Sequence, residues 1–159
     1  MNRMNRMNRI GIRSYGFYIL PILYILLGNY FVMEQKTIRD AAIRLTMMPR
    51  DTNAHGTVFG GVILSYIDVA GGVEAIRHTR HNRFVTVAMK EVIFHEPVFV
   101  GDLVSFYAKT LRVGNTSITI HVDVEAERFG TPGVRVTVTQ AEVTFVAINE
   151  EREKVRICG

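Results

Sequence analysis

Pro49-Arg50-Asp51-Thr52-Asn53-Ala54-His55-Gly56-Thr57-Val58-Phe59-Gly60-Gly61 runs directly into Val62-Ile63-Leu64-Ser65-Tyr66-Ile67-Asp68-Val69-Ala70-Gly71-Gly72. The first half is polar and rich in turn formers; the second is apolar with helical spacing. The periodicity predicts a helix over about 59–80. Ile63, Tyr66, Ile67, Ala70 and Val73 recur at three- and four-residue steps and form its core face. On the opposite side Gly61, Ser65, Asp68, Gly72 and Ala75 make a stripe of small residues around one acid. Glycine inside a helix costs about 1 kcal/mol against alanine, so such a stripe is expected to admit a backbone or a ligand at close range. The N–H groups at a helix start have no carbonyl one turn back to bond. Set on Gly60 and Gly61, they are open to a carbonyl oxygen, and a partly buried carboxylate nearby can activate water. The combination points to hydrolysis of a carbonyl compound.

Everything downstream of the helix reads as strand. Residues 84–96 are rich in valine and isoleucine and stop at Pro97. Residues 102–113 follow a turn at Val100-Gly101, and Gly114-Asn115 is a second turn. From 116 to 128 the alternation is clean: Ile118, Ile120, Val122, Val124 and Ala126 face one side, Ser117, Thr119, His121, Asp123, Glu125 and Glu127 the other. That is an antiparallel strand with one wet face. After Gly130-Thr131-Pro132-Gly133 the last long strand covers 134–149; its apolar phase slips near Gln140–Glu142, where a bulge is expected. Upstream, Ile38, Ala42, Ile43 and Leu45 suggest a first strand within 37–47, and the charged tail from Glu150 is expected to fray. One long helix followed by long strands and short turns is an α+β pattern. A single helix covers one face of such a sheet and leaves its own outer side in want of a partner, so dimerisation is expected.

The chain has 159 residues, enough for one domain with a real core. Its single cysteine, Cys158, excludes an intrachain disulfide and a cysteine-based metal site, which fits a reducing compartment. The formal charge of +4 belongs to residues 1–33, which carry Arg3, Arg6, Arg9 and Arg13 and no acid. Beyond them the charges balance, and no basic face with interleaved aromatics argues for nucleic acid. The same extension repeats Met-Asn-Arg three times and then runs apolar over about 15–33, the length of a bilayer crossing. Two readings stand: a membrane anchor, or a dispensable leader before a start at Met33. The residue pattern divides into the extension 1–33, a folded domain over 37–149 and the tail 150–159.

Pro49, Asp51-Thr52-Asn53, Gly56, Phe59-Gly60-Gly61, Asp68 and Gly71-Gly72, in that order and spacing, resemble the hotdog-fold acyl-CoA thioesterases, in particular the bacterial acyl-CoA hydrolases related to brain-type acyl-CoA hydrolase. Val85-Thr86-Val87-Ala88, Pro97-Val98, Val100-Gly101-Asp102, Val113-Gly114 with Ser117-Ile118, and Phe145-Val146-Ala147 extend the resemblance over about 37–149. It implies one long central helix wrapped by a curved antiparallel β-sheet, and a homodimer or trimer of dimers with active sites between protomers. It implies an acyl-CoA substrate, no cofactor and no metal, and a cytoplasmic enzyme unless the 15–33 segment anchors it to a membrane. On that resemblance Asp68 is general base or nucleophile, Asn53 orients water or substrate, and the N–H groups of Gly60 and Gly61 polarise the thioester carbonyl. Gly114, Thr116 and Ser117, with Arg112 beside them, would hold the nucleotide end of coenzyme A.

Each of these residues has a plainer use. Asn53 is also a good turn residue, Gly60 and Gly61 also suit a helix entry, and Arg112 also suits a strand edge. His78 and His81 are expected at the negative end of the helix, His95 and His121 on strand surfaces, and Glu74 and Arg77 on the helix surface. Two other functions fit less of the pattern: a hotdog dehydratase or hydratase pairing His55 with Asp68, and a non-catalytic acyl-binding protein.

Overall fold

In the computed structural model, residues 39–79, 81–90 and 92–157 are described, all within the unit Arg39–Gly159. The 15–33 segment expected as anchor or leader lies outside them. Among the described residues no helix is long and apolar enough to cross a membrane.

The elements are β1 (Ile43–Thr46), α1 (Gly60–Thr79), β2 (Phe84–Lys90), β3 (Leu103–Val113), β4 (Ser117–Glu127) and β5 (Arg135–Ala147). The five strands form one antiparallel sheet in the order β1-β3-β4-β5-β2. With α1 packed on one face this is the hotdog arrangement of a central helix held by a curled sheet. The curl comes from bulges, each of which adds a residue to one strand and sharpens its bend. One lies in β3 between Thr110 and Arg112, one in β2 between Thr86 and Ala88, and one in β5 opposite Val124–Glu125.

The β5 bulge is at Val138, not at Gln140–Glu142 as the apolar pattern suggested. Val138 and Thr139 are consecutive and both fully buried, which places the change of phase between them. β4 follows its alternation throughout: Ile118, Ile120, Val122, Val124 and Ala126 have no exposed surface. Against them α1 lays Ile63, Ile67, Ala70, Gly71, Ala75 and Thr79. The small-residue stripe therefore divides. Ala75 belongs to the core, and Gly71 lets the sheet approach so closely that a Cβ there would stand 2.8 Å from the Phe145 ring. Gly72 faces open space.

Three further expectations change. β1 is only four residues long, since the chain before it pairs with β3 at Ala42 alone. β2 ends at Lys90 rather than Glu96: Lys90–Glu142 is its last pair with β5, and among the described residues after it the His95 N–H bonds the Val138 carbonyl. The tail does not fray through Ile157. The Val155 N–H bonds the Ala147 carbonyl, the Ile157 N–H bonds Asn115, and the Ile157 side chain packs on the core.

A buried ion pair fixes one end of the sheet. Asp102, 3% exposed, accepts from Arg128 Nη1 at 2.7 Å and from the backbone N–H groups of Phe99 and Phe129, both at 3.1 Å. The same Arg128 nitrogen donates to the Pro97 carbonyl at 2.7 Å. No buried side-chain polar atom among the described residues lacks a partner.

Candidate active site

The loop before α1 braces itself. Pro49–Asp51 make one 3₁₀ turn, whose Asp51 carboxylate accepts the Met48 N–H at 2.8 Å. Thr52 and Val58 then bridge, so the chain between them folds back through Gly56, at φ 80°. That left-handed conformation suits glycine. Asn53 holds the fold-back together. Its Oδ1 accepts the N–H groups of His55 (2.8 Å) and Thr57 (3.3 Å), and its Nδ2 donates to Thr57 Oγ1 at 3.0 Å. The loop-building use of Asn53 is thus realised. Thr57 engages one of two Nδ2 protons, which leaves one for a ligand or water. His55 is exposed at the tip of this loop.

The Phe59 N–H donates to the Asp51 carbonyl at 2.8 Å and sets the entry of α1. Gly60 and Gly61 are its first two residues, and their N–H groups point out of the helix start with no carbonyl a turn back. No acid sits in the first turn to neutralise that positive end, whereas Arg77 and His78 lie in the last turn at the negative one. Gly60 borders a cleft of about 320 Å³ between the helix start and the segment 94–98. Thr57, His95 and Glu96 contribute its polar edge, so His95 lies on a cleft rim and not on a strand.

Asp68 lies two turns further along α1, partly buried and outside the cleft wall. Thr86 Oγ1, on β2, donates to its Oδ1 at 2.5 Å. β2 is an edge strand, paired with β5 on one side only, and it exposes Val85 and Val87. The acid is therefore turned toward the open edge of the sheet. Thr86 is the residue that sequence reasoning missed: it lies within a quoted motif, but nothing in an alternating strand says which threonine meets a helix acid.

Gly61 and Asp68 share a face, since seven residues make almost two turns, but the helical rise separates them by roughly 10 Å. The structure of one chain thus keeps the bare N–H groups and the acid apart.

The remaining positions cluster at the β3–β4 turn. The Gly114 N–H bonds the Ser117 carbonyl at 2.7 Å, and the Thr116 carbonyl accepts the Ala147 N–H at 2.9 Å. These backbones hold the turn. Arg112 opens onto a separate hollow of about 260 Å³ that also includes Lys90 and Glu142. Glu74 is not a solvated surface charge: it accepts from Thr110 Oγ1 on β3 at 3.1 Å. His81 Nε2 meets the Ile148 carbonyl at 3.2 Å, and His121 Nε2 meets Asp123 at 3.0 Å. Among the described residues no three His, Cys, Asp or Glu side chains gather at metal-binding distance.

Comparison with known proteins gives a consistent answer. Residues 55–133 match the family model described as Thioesterase superfamily. The chain is 37% identical over 114 residues to the acyl-CoA thioester hydrolase YciA of Escherichia coli, covering 70% of this chain and 86% of that one. It is similar to the hexameric hotdog fold thioesterase Cj0915 of Campylobacter jejuni, with TM-score 0.69, 42% identity and coverage of 74% and 90% of the two chains. It is also similar to HI0827, a hexameric broad specificity acyl-coenzyme A thioesterase solved in a form with an aspartate replaced by alanine, with TM-score 0.71, 38% identity and coverage of 74% and 86%.

Proposed function

Since the chain belongs to the thioesterase superfamily and is an acyl-CoA thioester hydrolase of the hotdog fold, we propose that it hydrolyses acyl-CoA at a site shared between two copies, with Asp68 of one copy and the helix start of the other. The carrying observation is the roughly 10 Å rise between Gly61 and Asp68. A carbonyl under attack needs its nucleophile and its oxyanion donors each about 3 Å away. Two helices lying antiparallel across a two-fold axis would bring each helix start beside the other acid. The exposed edge of β2, with Val85 and Val87, supports such pairing, because an unpaired strand edge is a template for another strand.

In this reading Asp68 is the general base. It takes a proton from water; the resulting hydroxide adds to the thioester carbon, and the tetrahedral oxyanion rests on the N–H groups of Gly60 and Gly61. The carbonyl then re-forms, the C–S bond breaks, and coenzyme A leaves as thiol once it receives the proton. Thr86 orients the carboxylate, and the spare Nδ2 proton of Asn53 is available to the substrate or the water. Arg112 and the Gly114–Ser117 turn serve the nucleotide end. By likeness to HI0827 and Cj0915 the assembly is a hexamer, a trimer of such dimers, and by likeness to HI0827 it accepts a range of acyl groups.

The test is thiol release from acyl-CoA esters by the wild type and by Asp68→Ala. Loss of a positioned base costs about 10²–10⁴-fold. An Asp68→Ala protein that keeps its kcat removes the assignment. Single turnover in ¹⁸O-water separates base from nucleophile: label found in the enzyme's own aspartate would mean an anhydride intermediate instead.

A further inference from the structure

We propose that the cleft beside Gly60 holds the acyl chain, and that Phe94 and Val138 together set the chain length the enzyme prefers. The inference presupposes the thioester hydrolase reading above and adds to it the place and size of the acyl group. The cleft starts at Gly60, where the carbonyl oxygen would be held, so a chain attached to that carbonyl can enter it directly. Six of its lining side chains are apolar, Val58, Ile63, Phe94, Pro97, Val98 and Val138, beside the polar Thr57, His95 and Glu96.

The walls differ in stiffness. Ile63 and Val138 are 1% and 0% exposed, and Val138 occupies the β5 bulge, where its carbonyl is bonded by the His95 N–H at 2.9 Å. These two side chains are packed in the core and form the floor. The opposite wall is held at its far end, where the Val58 N–H bonds the Val98 carbonyl at 2.8 Å and Arg128 bonds the Pro97 carbonyl. Phe94 is the exception. It is 46% exposed, and its ring edge would come within 3.4 Å of a Cβ placed on Gly60, so it stands against the helix start. A fixed floor with one movable aromatic wall suits a linear alkyl chain, which needs length and dryness but no directional bond.

Size then selects the substrate. The volume of about 320 Å³ is near the lower end of small-molecule sites. At ~30 Å³ for a group the size of one water molecule, it corresponds to roughly ten methylene-sized groups. A medium acyl chain matches that volume, and a palmitoyl chain would run past it.

The experiment is kcat/KM for saturated acyl-CoA esters from acetyl to palmitoyl, with wild type, Phe94→Ala and Val138→Phe. In the wild type each added methylene should raise kcat/KM about fourfold, the equivalent of ~0.8 kcal/mol, until about octanoyl or decanoyl. Beyond that the curve should flatten or fall. In Phe94→Ala the octanoyl-to-acetyl ratio should drop about tenfold, as the longer chain loses its wall. In Val138→Phe the maximum should move to butyryl or hexanoyl. Val138 is buried, so that variant counts only if its thermal melt shows a folded protein; Phe94→Ala carries the test in any case. Hydrolysis with no chain-length preference, or an unchanged ratio in Phe94→Ala, overturns the inference and leaves the thioesterase standing. No hydrolysis of any ester by folded wild-type protein overturns both.

Discussion

Thr86 on the edge strand β2 donates its hydroxyl proton to Asp68 on α1, with Oγ1 and Oδ1 2.5 Å apart. The bond joins helix and sheet at the point where the sheet is open. It fixes one carboxylate oxygen, and among the described residues the other has no hydrogen-bond donor. A carboxylate that must meet water in one orientation gains from being held, because misplacement by about 1 Å can cost as much as a hundredfold in rate.

Thr86→Val removes the hydroxyl and keeps the shape. Hydrogen bonds to charged groups are worth about 1.5–3 kcal/mol, but Thr86 is exposed, so the lower end applies and kcat should fall about tenfold. KM should change little, and Thr86→Ser should restore most of the rate. An unchanged kcat in Thr86→Val would show that the hydroxyl does not hold the acid in a way that matters to the rate.

Gly71→Ala tests how closely α1 lies on the sheet. The added Cβ would stand 2.8 and 2.9 Å from two ring carbons of Phe145, a residue 3% exposed with no room to swing. Overpacking of this kind costs about 1–3 kcal/mol, against a gain in helix propensity of about 1 kcal/mol. Urea denaturation should show net destabilisation. Gly72→Ala, one residue on and facing open space, should be stabilising by up to about 1 kcal/mol. Both variants shifting the midpoint in the same direction would contradict this division of the helix.

The two glycines also show how far the sequence can be read. The helix is legible from Ile63, Ile67 and Ala70 at three- and four-residue steps, and β4 because its alternation is unbroken over 11 residues. Phase alone cannot say which of two adjacent glycines meets an aromatic ring, since Gly71 and Gly72 differ by one step of about 100° on the helix. The β5 bulge is hidden for a similar reason. In Val134-Arg135-Val136-Thr137-Val138-Thr139 the valines keep one phase up to Val138, and threonine, which is β-branched, passes for either side of a strand. Past the end of β2 the chain is held at His95–Val138, a long-range bond with no local signature. At the candidate site Asn53 and Asp68 stand out by residue type, but the use of Asn53 inside its own loop and the partnership of Asp68 with Thr86 depend on the folded chain.

Asp102→Asn should be among the most damaging single changes away from the proposed chemistry. The carboxylate is buried with Arg128 and with two backbone N–H donors. Removing the charge leaves Arg128, among the described residues, with only the more exposed Glu96, 3.5 Å away, so the cost should fall below the roughly 3–5 kcal/mol of breaking a fully buried pair, at about 2–3 kcal/mol. The loss should appear in urea denaturation. Because Arg128 also holds the Pro97 carbonyl, the far wall of the cleft should loosen with it, seen as faster exchange of the Val58 amide, which bonds the Val98 carbonyl. A midpoint within experimental error of the wild type would mean that the pair contributes nothing net.

A site shared between copies makes a prediction about mixtures. Gly60→Pro is compatible with the first position of a helix, where proline is favoured and its missing N–H breaks no helical bond. Phe59 before it is non-helical, as a residue preceding proline prefers. The change deletes one oxyanion donor, at a cost of about 10²–10³-fold in kcat. Co-expressed with Asp68→Ala, it should regain activity. Half of randomly formed dimers are mixed, and in each of these one of the two sites combines an intact helix start with an intact acid, so recovery should approach about a quarter of wild type. If each chain instead carried a whole site, every site in the mixture would hold one defect, and activity would stay at the level of the weak parents. Tagged dimers purified as the mixed species sharpen the contrast: about half of wild-type activity in the shared arrangement, close to none in the separate one.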